Sequence, residues 1–196
     1  MRYLIGIDEA GRGPLAGPVA VGAVMVPPGF DWRSVRGVRD SKQLSYKQRE
    51  DMYATIKQLE SAQELSYAVS FSSAEVIDKC GIGYAIRRAL YRSTMRLRAS
   101  PKRCSVLLDG GLVAPHCFSM QKTIIRGDET EPIISLASIV AKVLRDRLMV
   151  RLGDEYPEYG FEVHKGYGTL AHRRAVRVHG LSPLHRTTFC TRLQGS

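Results

Sequence analysis

Two long stretches of this sequence lack acidic residues altogether. From Lys79 to Leu108 there are eight lysines and arginines and no aspartate or glutamate. From Val163 to Ser196 there are six, together with four of the five histidines, and again no acid. The whole chain carries a net charge of +10, and such an imbalance favours a polyanionic partner such as nucleic acid. Cysteine is also sparse. Cys80, Cys104, Cys117 and Cys190 form no CxxC pair, which argues against a zinc site and a disulfide scaffold and fits a reducing cytosol. No apolar run is long enough to cross a bilayer, because Pro14–Pro28 is short and rich in Gly and Pro. No signal peptide is expected, since Arg2 leads straight into the first apolar strand, so the expected location is cytoplasmic. There is no internal repeat, low-complexity tract or linker. At 196 residues, 44% hydrophobic and 24% charged, the chain reads as one domain with a sizeable core.

The elements follow from periodicity and punctuation. Strands are expected at 3–8, 19–26, 65–71, 105–108 and 121–126. Ser45 with Gln48 is a capping-box pattern, predicting a helix from Tyr46 to about Glu60, and Ser72 with Glu75 is read as a second box opening a short helix before Gly81. Ile82, Ile86, Ala89, Leu90 and Leu97 fall at helical spacing, with Arg88, Arg92 and Arg96 as an i, i+4 row read as a solvated face. A long helix is expected over about 132–152, with Ile133, Leu136, Ala137, Val140, Leu144 and Leu148 on one side. A last helix should begin after Thr169 and stop at Gly180. Strands first in meander and then alternating with helices give a mixed α/β sheet with helical cover.

What the chain has is a set of acids at strand ends. Asp8 and Glu9 close the apolar run Tyr3–Ile7, Asp109 follows Ser105–Leu108, and Asp128 follows the fifth strand. Mg²⁺ takes oxygen ligands and draws only one or two from protein. Acids clustered at buried strand ends would repel one another without a cation. Adjacent strand residues point to opposite faces, so Asp8 and Glu9 can share a site only if the strand has ended by Glu9. Glu9 as a solvated turn acid stays open on spacing alone. So do Asp109 as an Asp-Gly turn residue and Asp128 as a helix-entry acid. Gly11-Arg12-Gly13 lets backbone and guanidinium approach a phosphate closely. Ser41, Lys42, Ser138 and Lys142 suit phosphate contacts. Asp146, within Arg145-Asp146-Arg147, reads as part of a surface ion pair. His164, His172, His179 and His185 match no familiar ligand spacing and read as surface or phosphate-contacting residues.

The string Asp8-Glu9-Ala10-Gly11-Arg12-Gly13-Pro14-Leu15-Ala16-Gly17-Pro18 resembles the opening motif of the type 2 ribonuclease H family, and within it bacterial ribonuclease HII. Further segments match in order: Asp40-Ser41-Lys42-Gln43-Leu44, Leu108-Asp109-Gly110, Arg126-Gly127-Asp128, Ala137 to Asp146, and His164-Lys165-Gly166-Tyr167-Gly168-Thr169. The likeness spans about Tyr3 to Phe189. Two positions depart from it, Arg126 and Gln43, where lysine is usual. Both leave the acids intact. Gly11-Arg12-Gly13 separates the chain from ribonuclease HIII, which typically has Gly-Lys-Gly and an extra N-terminal domain.

The resemblance implies a ribonuclease H-like mixed five-stranded sheet flanked by helices, forming a catalytic core over about 1–155. A small helical C-terminal extension would follow over about 156–196. It implies that Asp8, Glu9, Asp109 and Asp128 hold Mg²⁺ or Mn²⁺, and that Tyr167 stacks at the sugar of an RNA–DNA junction. The backbone of Gly11-Arg12-Gly13 could sense the ribose 2′-hydroxyl. The implied activity is hydrolysis of the RNA strand of RNA–DNA hybrids and nicking 5′ of single ribonucleotides in duplex DNA. Two metal ions would leave 5′-phosphate and 3′-hydroxyl ends, in the service of ribonucleotide removal, with the chain acting as a monomer. Two rivals are a structure-specific DNA endonuclease on the same sheet and a non-catalytic hybrid-binding module.

Overall fold

The computed structural model describes residues 2–38 and 44–193, the side chain of Arg192 excepted. Ser41 and Lys42, with Asp40 and Gln43 beside them, lie outside the described residues. Five strands form one sheet: β1 (Tyr3–Ala10), β2 (Val19–Val26), β3 (Ser66–Ser72), β4 (Cys104–Asp109) and β5 (Gln121–Ile124). Their order is β3-β2-β1-β4-β5. The β1–β2 and β2–β3 pairs are antiparallel, and β1–β4 and β4–β5 are parallel. The mixed α/β sheet expected from the sequence is therefore present.

β1 and β2 are buried on both faces, which is why Val19–Val26 is a continuous apolar run and not an alternating one. Ile5, Ile7, Val19, Val21, Val106 and Leu108 face a core closed by α3 (Ile82–Arg96). The opposite face packs against α1 (Tyr46–Ser61) and α5 (Pro132–Glu155). Helix α5 lies directly on the sheet because two strand glycines make room for its backbone. A Cβ on Gly6 would stand 2.2 Å from the Ile133 carbonyl oxygen, and one on Gly22 2.4 Å from that of Ala137. Most of α5 is buried on more than one side, so the single-face pattern expected for it is too narrow. Leu144 and Leu148 are half-buried while Met149 is fully buried.

The Ser45–Gln48 capping box forms as expected. The second box is displaced by one residue: Ser73 caps α2 (Ala74–Cys80), accepting from Val76 N–H, whereas Ser72 ends β3 and its buried hydroxyl donates to Ala85 O. The arginine row on α3 is not simply solvated. Arg92 and Arg96 donate to the Phe71 and Val69 carbonyls of the edge strand β3 at 3.2 and 3.0 Å, covering groups that would otherwise template another strand. β5 is shorter than expected. Arg126 adopts a left-handed conformation, and Gly127–Thr130 forms a single turn, α4. Beyond α5 the described residues form helices and 3-10 turns: α6 (Phe161–His164), α7 (Leu170–His179) and the turns at Pro157–Tyr159, Thr187–Phe189 and Thr191–Leu193. Thr169 caps α7 and Gly180 ends it.

The glycine contact is testable. Gly6→Ala should destabilise the fold by about 2 kcal/mol or more, since the methyl meets helix backbone and not a movable side chain. Urea unfolding would measure it, and a change below about 0.5 kcal/mol would show that α5 can lift off the sheet without cost.

Candidate active site

The register of β1 against β4 creates the site. Ile7 pairs with Leu108 in parallel, so the next residues, Asp8 and Asp109, emerge side by side at neighbouring strand ends. Both continue the strand face that α5 covers, the face of Leu4 on β1 and Leu107 on β4. Asp8 is 5% exposed. Its Oδ1 accepts from Glu9 N–H at 2.7 Å, and it is hydrogen-bonded to the Ser138 hydroxyl of α5. Burial pushes its pKa well above the ordinary carboxylate value, and the nearby charges of Asp109 and Glu9 push the same way. The Ser138 bond opposes them.

β1 does not end by Glu9. Its ladder continues as Glu9↔Val21 and Ala10↔Ala20, so the geometric condition set for a shared site is not met. Glu9 lines the neighbouring cleft, and its charge still acts on Asp8. Burial raises its pKa, the Arg12 guanidinium at 3.2 Å counters this, and Asp109 raises it further. Asp109 Oδ1 accepts from Gly127 N–H at 2.7 Å and Asp128 N–H at 3.4 Å. Asp128 is thus delivered by the α4 turn and not by a strand end. It is fully buried, and its carbonyl accepts from the Ser135 hydroxyl.

Beside these acids lies a cleft of ≈ 370 Å³. Seven of the residues selected from sequence line it: Glu9, Gly11, Arg12, Gly13, Ser138, Lys142 and Tyr167. Arg49 and Ile139 complete the wall with Ala10. Tyr167 is 42% exposed, and Lys142 Nζ and Arg145 Cζ stand 5.6 and 5.9 Å from its ring centroid. Lys142 is also paired with Asp146 at 2.8 Å. Asp146 is 6% exposed, so its expected place in a surface ion pair is incorrect: it is a buried acid whose partner Lys142 lines the cleft.

Two residues that sequence reasoning passed over hold the glycine-rich loop. Arg145 and Arg186 are completely buried. Arg186 donates to the carbonyls of Gly11, Arg12 and Gly17 at 2.7, 2.9 and 3.0 Å. Arg145 donates to those of Pro18, Lys165 and Ala16 at 2.9, 3.1 and 3.4 Å. Gly11, at φ 86°, tolerates no side chain because a Cβ would overlap the Arg145 guanidinium. The only sequence signal was an arginine inside an apolar helix register. His164, His172 and His185 are also buried, against the expectation of surface or phosphate-contacting histidines. Of the four, only His179 is exposed.

The matching family model is Ribonuclease HII, which covers residues 5–192. A Ribonuclease HII from Marinomonas sp. is 41% identical over 186 residues, spanning 95% of this chain and 89% of that protein. The chain belongs to the ribonuclease HII family. It is accordingly a type 2 ribonuclease H, an endonuclease acting on the RNA of RNA–DNA hybrids. Among solved structures, ribonuclease H2 from Pyrococcus horikoshii is similar with a TM-score of 0.76 and 26% identity, covering 99% of this chain and 100% of that one. Bst-RNase HIII in complex with Mn²⁺ shares the fold with a TM-score of 0.73 and 19% identity, covering 100% of this chain and 71% of that one. The ribonuclease H-like sheet with flanking helices is therefore the fold of this ribonuclease HII chain.

Asp109 raises the pKa of both Asp8 and Glu9, a repulsion that oxygen ligation of a hard cation would relieve. Among the described residues no group of three His, Cys, Asp or Glu side chains is placed to hold a metal ion. The native state holds a proton on Asp8 more tightly than the unfolded chain does. Stability without metal therefore falls as pH rises from the ordinary carboxylate value through the raised one. Asp8→Asn should remove this penalty, raising Tm in chelator at neutral pH by roughly 2–4 °C per ~1 kcal/mol gained. Mg²⁺ should raise Tm of the parent and leave the variant nearly unchanged. Calorimetry with and without chelator decides it, and a lower Tm for the variant in chelator would contradict the electrostatic account.

Proposed function

We propose that this ribonuclease HII nicks duplex DNA 5′ of a single embedded ribonucleotide, besides cutting the RNA strand of longer hybrids, and so serves ribonucleotide removal. The observation that carries this is the coupling of Asp8, Glu9 and Asp109 at one rim of the sheet, beside a cleft lined by Gly11-Arg12-Gly13 and Tyr167. Asp8, Glu9, Asp109 and Asp128 would hold two divalent cations, Mg²⁺ or Mn²⁺. A related fold, Bst-RNase HIII, is seen with Mn²⁺. Such ions, when bound, activate water and stabilise the leaving 3′-oxygen, giving 5′-phosphate and 3′-hydroxyl ends.

The chain's own groups supply the rest. Ser138 orients Asp8 through its hydrogen bond. Arg12, mostly exposed at the mouth and paired with Glu9, can turn to a phosphate when a cation takes Glu9. Lys142, tied to Asp146, offers a second phosphate contact, with Ser41 and Lys42 as further ones. The half-exposed Tyr167 ring presents a flat apolar surface for a sugar or base at an RNA–DNA junction. The same reading takes residues 1–196 as one domain, with a core over about 1–155 and an extension over about 156–196, working as a cytoplasmic monomer. No described helix is long and apolar enough to cross a membrane.

The decisive experiment is incubation with duplex DNA carrying one ribonucleotide, with and without Mg²⁺. Metal-dependent nicking 5′ of the ribonucleotide is expected, with Asp109→Asn reducing it by roughly 10³-fold or more while still binding the duplex. Cleavage of all-DNA duplex, or binding without turnover, would overturn the reading. Recognition is tested separately. Tyr167→Ala should slow nicking at a lone ribonucleotide more than cutting of a long hybrid, because a hybrid offers many registers and a partly A-form shape to the backbone contacts. Equal losses on the two substrates would remove Tyr167 from ribose discrimination.

A further inference from the structure

Behind Tyr167, in the helical segment after α5, three imidazoles are buried with no part in the chemistry above. Every ring nitrogen of this group faces a polar atom. His164 Nδ1 accepts from Gly166 N–H at 3.2 Å and Nε2 lies 2.7 Å from Tyr159 O. His185 Nδ1 accepts from Ser182 N–H at 2.9 Å. His185 Nε2 lies 3.0 Å from His172 Nε2, and His172 Nδ1 lies 3.0 Å from Tyr167 O.

Backbone groups at the two ends fix the direction of this chain. A neutral imidazole has one N–H and one acceptor nitrogen. The Ser182 amide can only donate, so His185 Nδ1 is an acceptor and its proton is on Nε2. That N–H points at His172 Nε2, which must accept, leaving the His172 proton on Nδ1. The Tyr167 carbonyl can only accept, and Nδ1–H supplies it. The same logic puts the His164 proton on Nε2, donating to Tyr159 O. A second proton on His172 would set two N–H groups against each other, and one on His185 would set Nδ1–H against the Ser182 amide, with only the Ser182 hydroxyl, also 2.9 Å away, to accept it. Burial acts the same way, lowering His172 and His185 to about 4.

We propose that His172 and His185 are positioning residues for substrate recognition: a one-directional chain, Ser182 to His185 to His172 to Tyr167, sets the peptide that carries the recognition tyrosine at the cleft. The peptide needs such support. Lys165 and Gly166, just before Tyr167, are both left-handed, at φ 52° and 85°. The turn they make is held at Tyr167 N–H by His164 O at 2.9 Å and at Tyr167 O by Thr169 N–H at 2.8 Å, with His172 as the side-chain anchor. Gly166 O receives Leu15 and Ala16 N–H at 2.8 and 3.3 Å, so the same turn is seated on the loop that carries Gly11-Arg12-Gly13. His164 stacks on His172 with ring centroids 4.3 Å apart, and Phe161 meets the His172 ring edge-on at 5.5 Å. The rings are thereby fixed in plane, and a ring flip would break these contacts.

The functional half of this proposal rests on Tyr167 contacting substrate, whereas the tautomers do not, and two measurements on the full chain separate them. Nitrogen-15 spectra of histidine-labelled protein at neutral pH should show His172 neutral and protonated at Nδ1, and His185 neutral and protonated at Nε2. A proton on Nε2 of His172, or a doubly protonated ring, overturns the chain whatever Tyr167 does. His172→Asn keeps an amide N–H where Nδ1 stands, and His172→Gln keeps one where Nε2 stands. His172→Asn should retain the parent preference between a lone ribonucleotide and a long hybrid. His172→Gln should lose about tenfold on the lone ribonucleotide relative to the hybrid, the worth of one buried hydrogen bond of ~1.4 kcal/mol. Equal losses by both variants on both substrates would make His172 a packing residue and overturn the positioning role. Correct tautomers with no effect of Tyr167→Ala on either substrate would leave the chain standing and remove the recognition reading instead.

Discussion

The architecture of the cleft depends on burying two positive charges beneath a loop that has little side chain of its own. The guanidinium groups of Arg145 and Arg186 are each wholly enclosed, and each spends its donors on main-chain carbonyls. A guanidinium suits this task because five donors in a fixed plane can satisfy several carbonyls at once, which an ammonium cannot do with the same geometry. The carbonyls come from two separate segments, the loop 11–18 and Lys165, and the turn carrying Arg186 is tied to that loop by its backbone. Arg186 N–H donates to Leu15 O at 2.7 Å, and Asp78 of α2 caps that turn by accepting from the backbone and hydroxyls of Thr187 and Thr188. Removing either cation would orphan buried carbonyls on the loop that forms one wall of the site, a cost of the full desolvation kind.

The cations and the acids form one electrostatic design. Asp8, Glu9 and Asp109 would repel one another in an apolar setting, and the raised pKa values of Asp8 and Glu9 record that conflict. It falls at the sheet rim, where the proposed cation would enter. Structure elsewhere compensates: α5 sits directly on glycines of β1 and β2, and both sheet faces carry continuous apolar cores. Strain is concentrated where chemistry is done and absorbed by ordinary packing around it.

The readable part of the sequence was local chemistry. All five strands, the caps at Ser45 and Thr169 and the stop at Gly180 follow from apolar runs, alternation and capping residues. What escaped was tertiary. Ser72 and Ser73 are equally good caps in sequence, and only the extension of β3 to Ser72 selects Ser73. Asp146 and Arg145 look solvated because charged residues on a helix usually are. Their burial depends on the segment 159–189, which folds over α5 from far along the chain. The histidines read as surface groups for the same reason, since spacing reports only local partners. Glu9 is the instructive failure. The ladder of β1 runs on to Ala10, past the point where spacing required it to end, and Glu9 still lines the cleft.

Two regions of the site thus operate on different physics. The acids at the ends of β1 and β4 act through charge, so their behaviour follows pH, salt and cation concentration. The turn bearing Tyr167 is held by neutral hydrogen bonds, a glycine contact and stacked rings, none of which is screened by salt. The turn is joined to the glycine-rich loop through Gly166 O and to α5 through the Arg145 guanidinium. The acid-free composition of Val163–Ser196 then has a structural reason besides attraction to nucleic acid. A carboxylate inside this segment would pair with the buried imidazoles or arginines, favour their charged forms, and break the one-directional pattern on which the tyrosine's position depends.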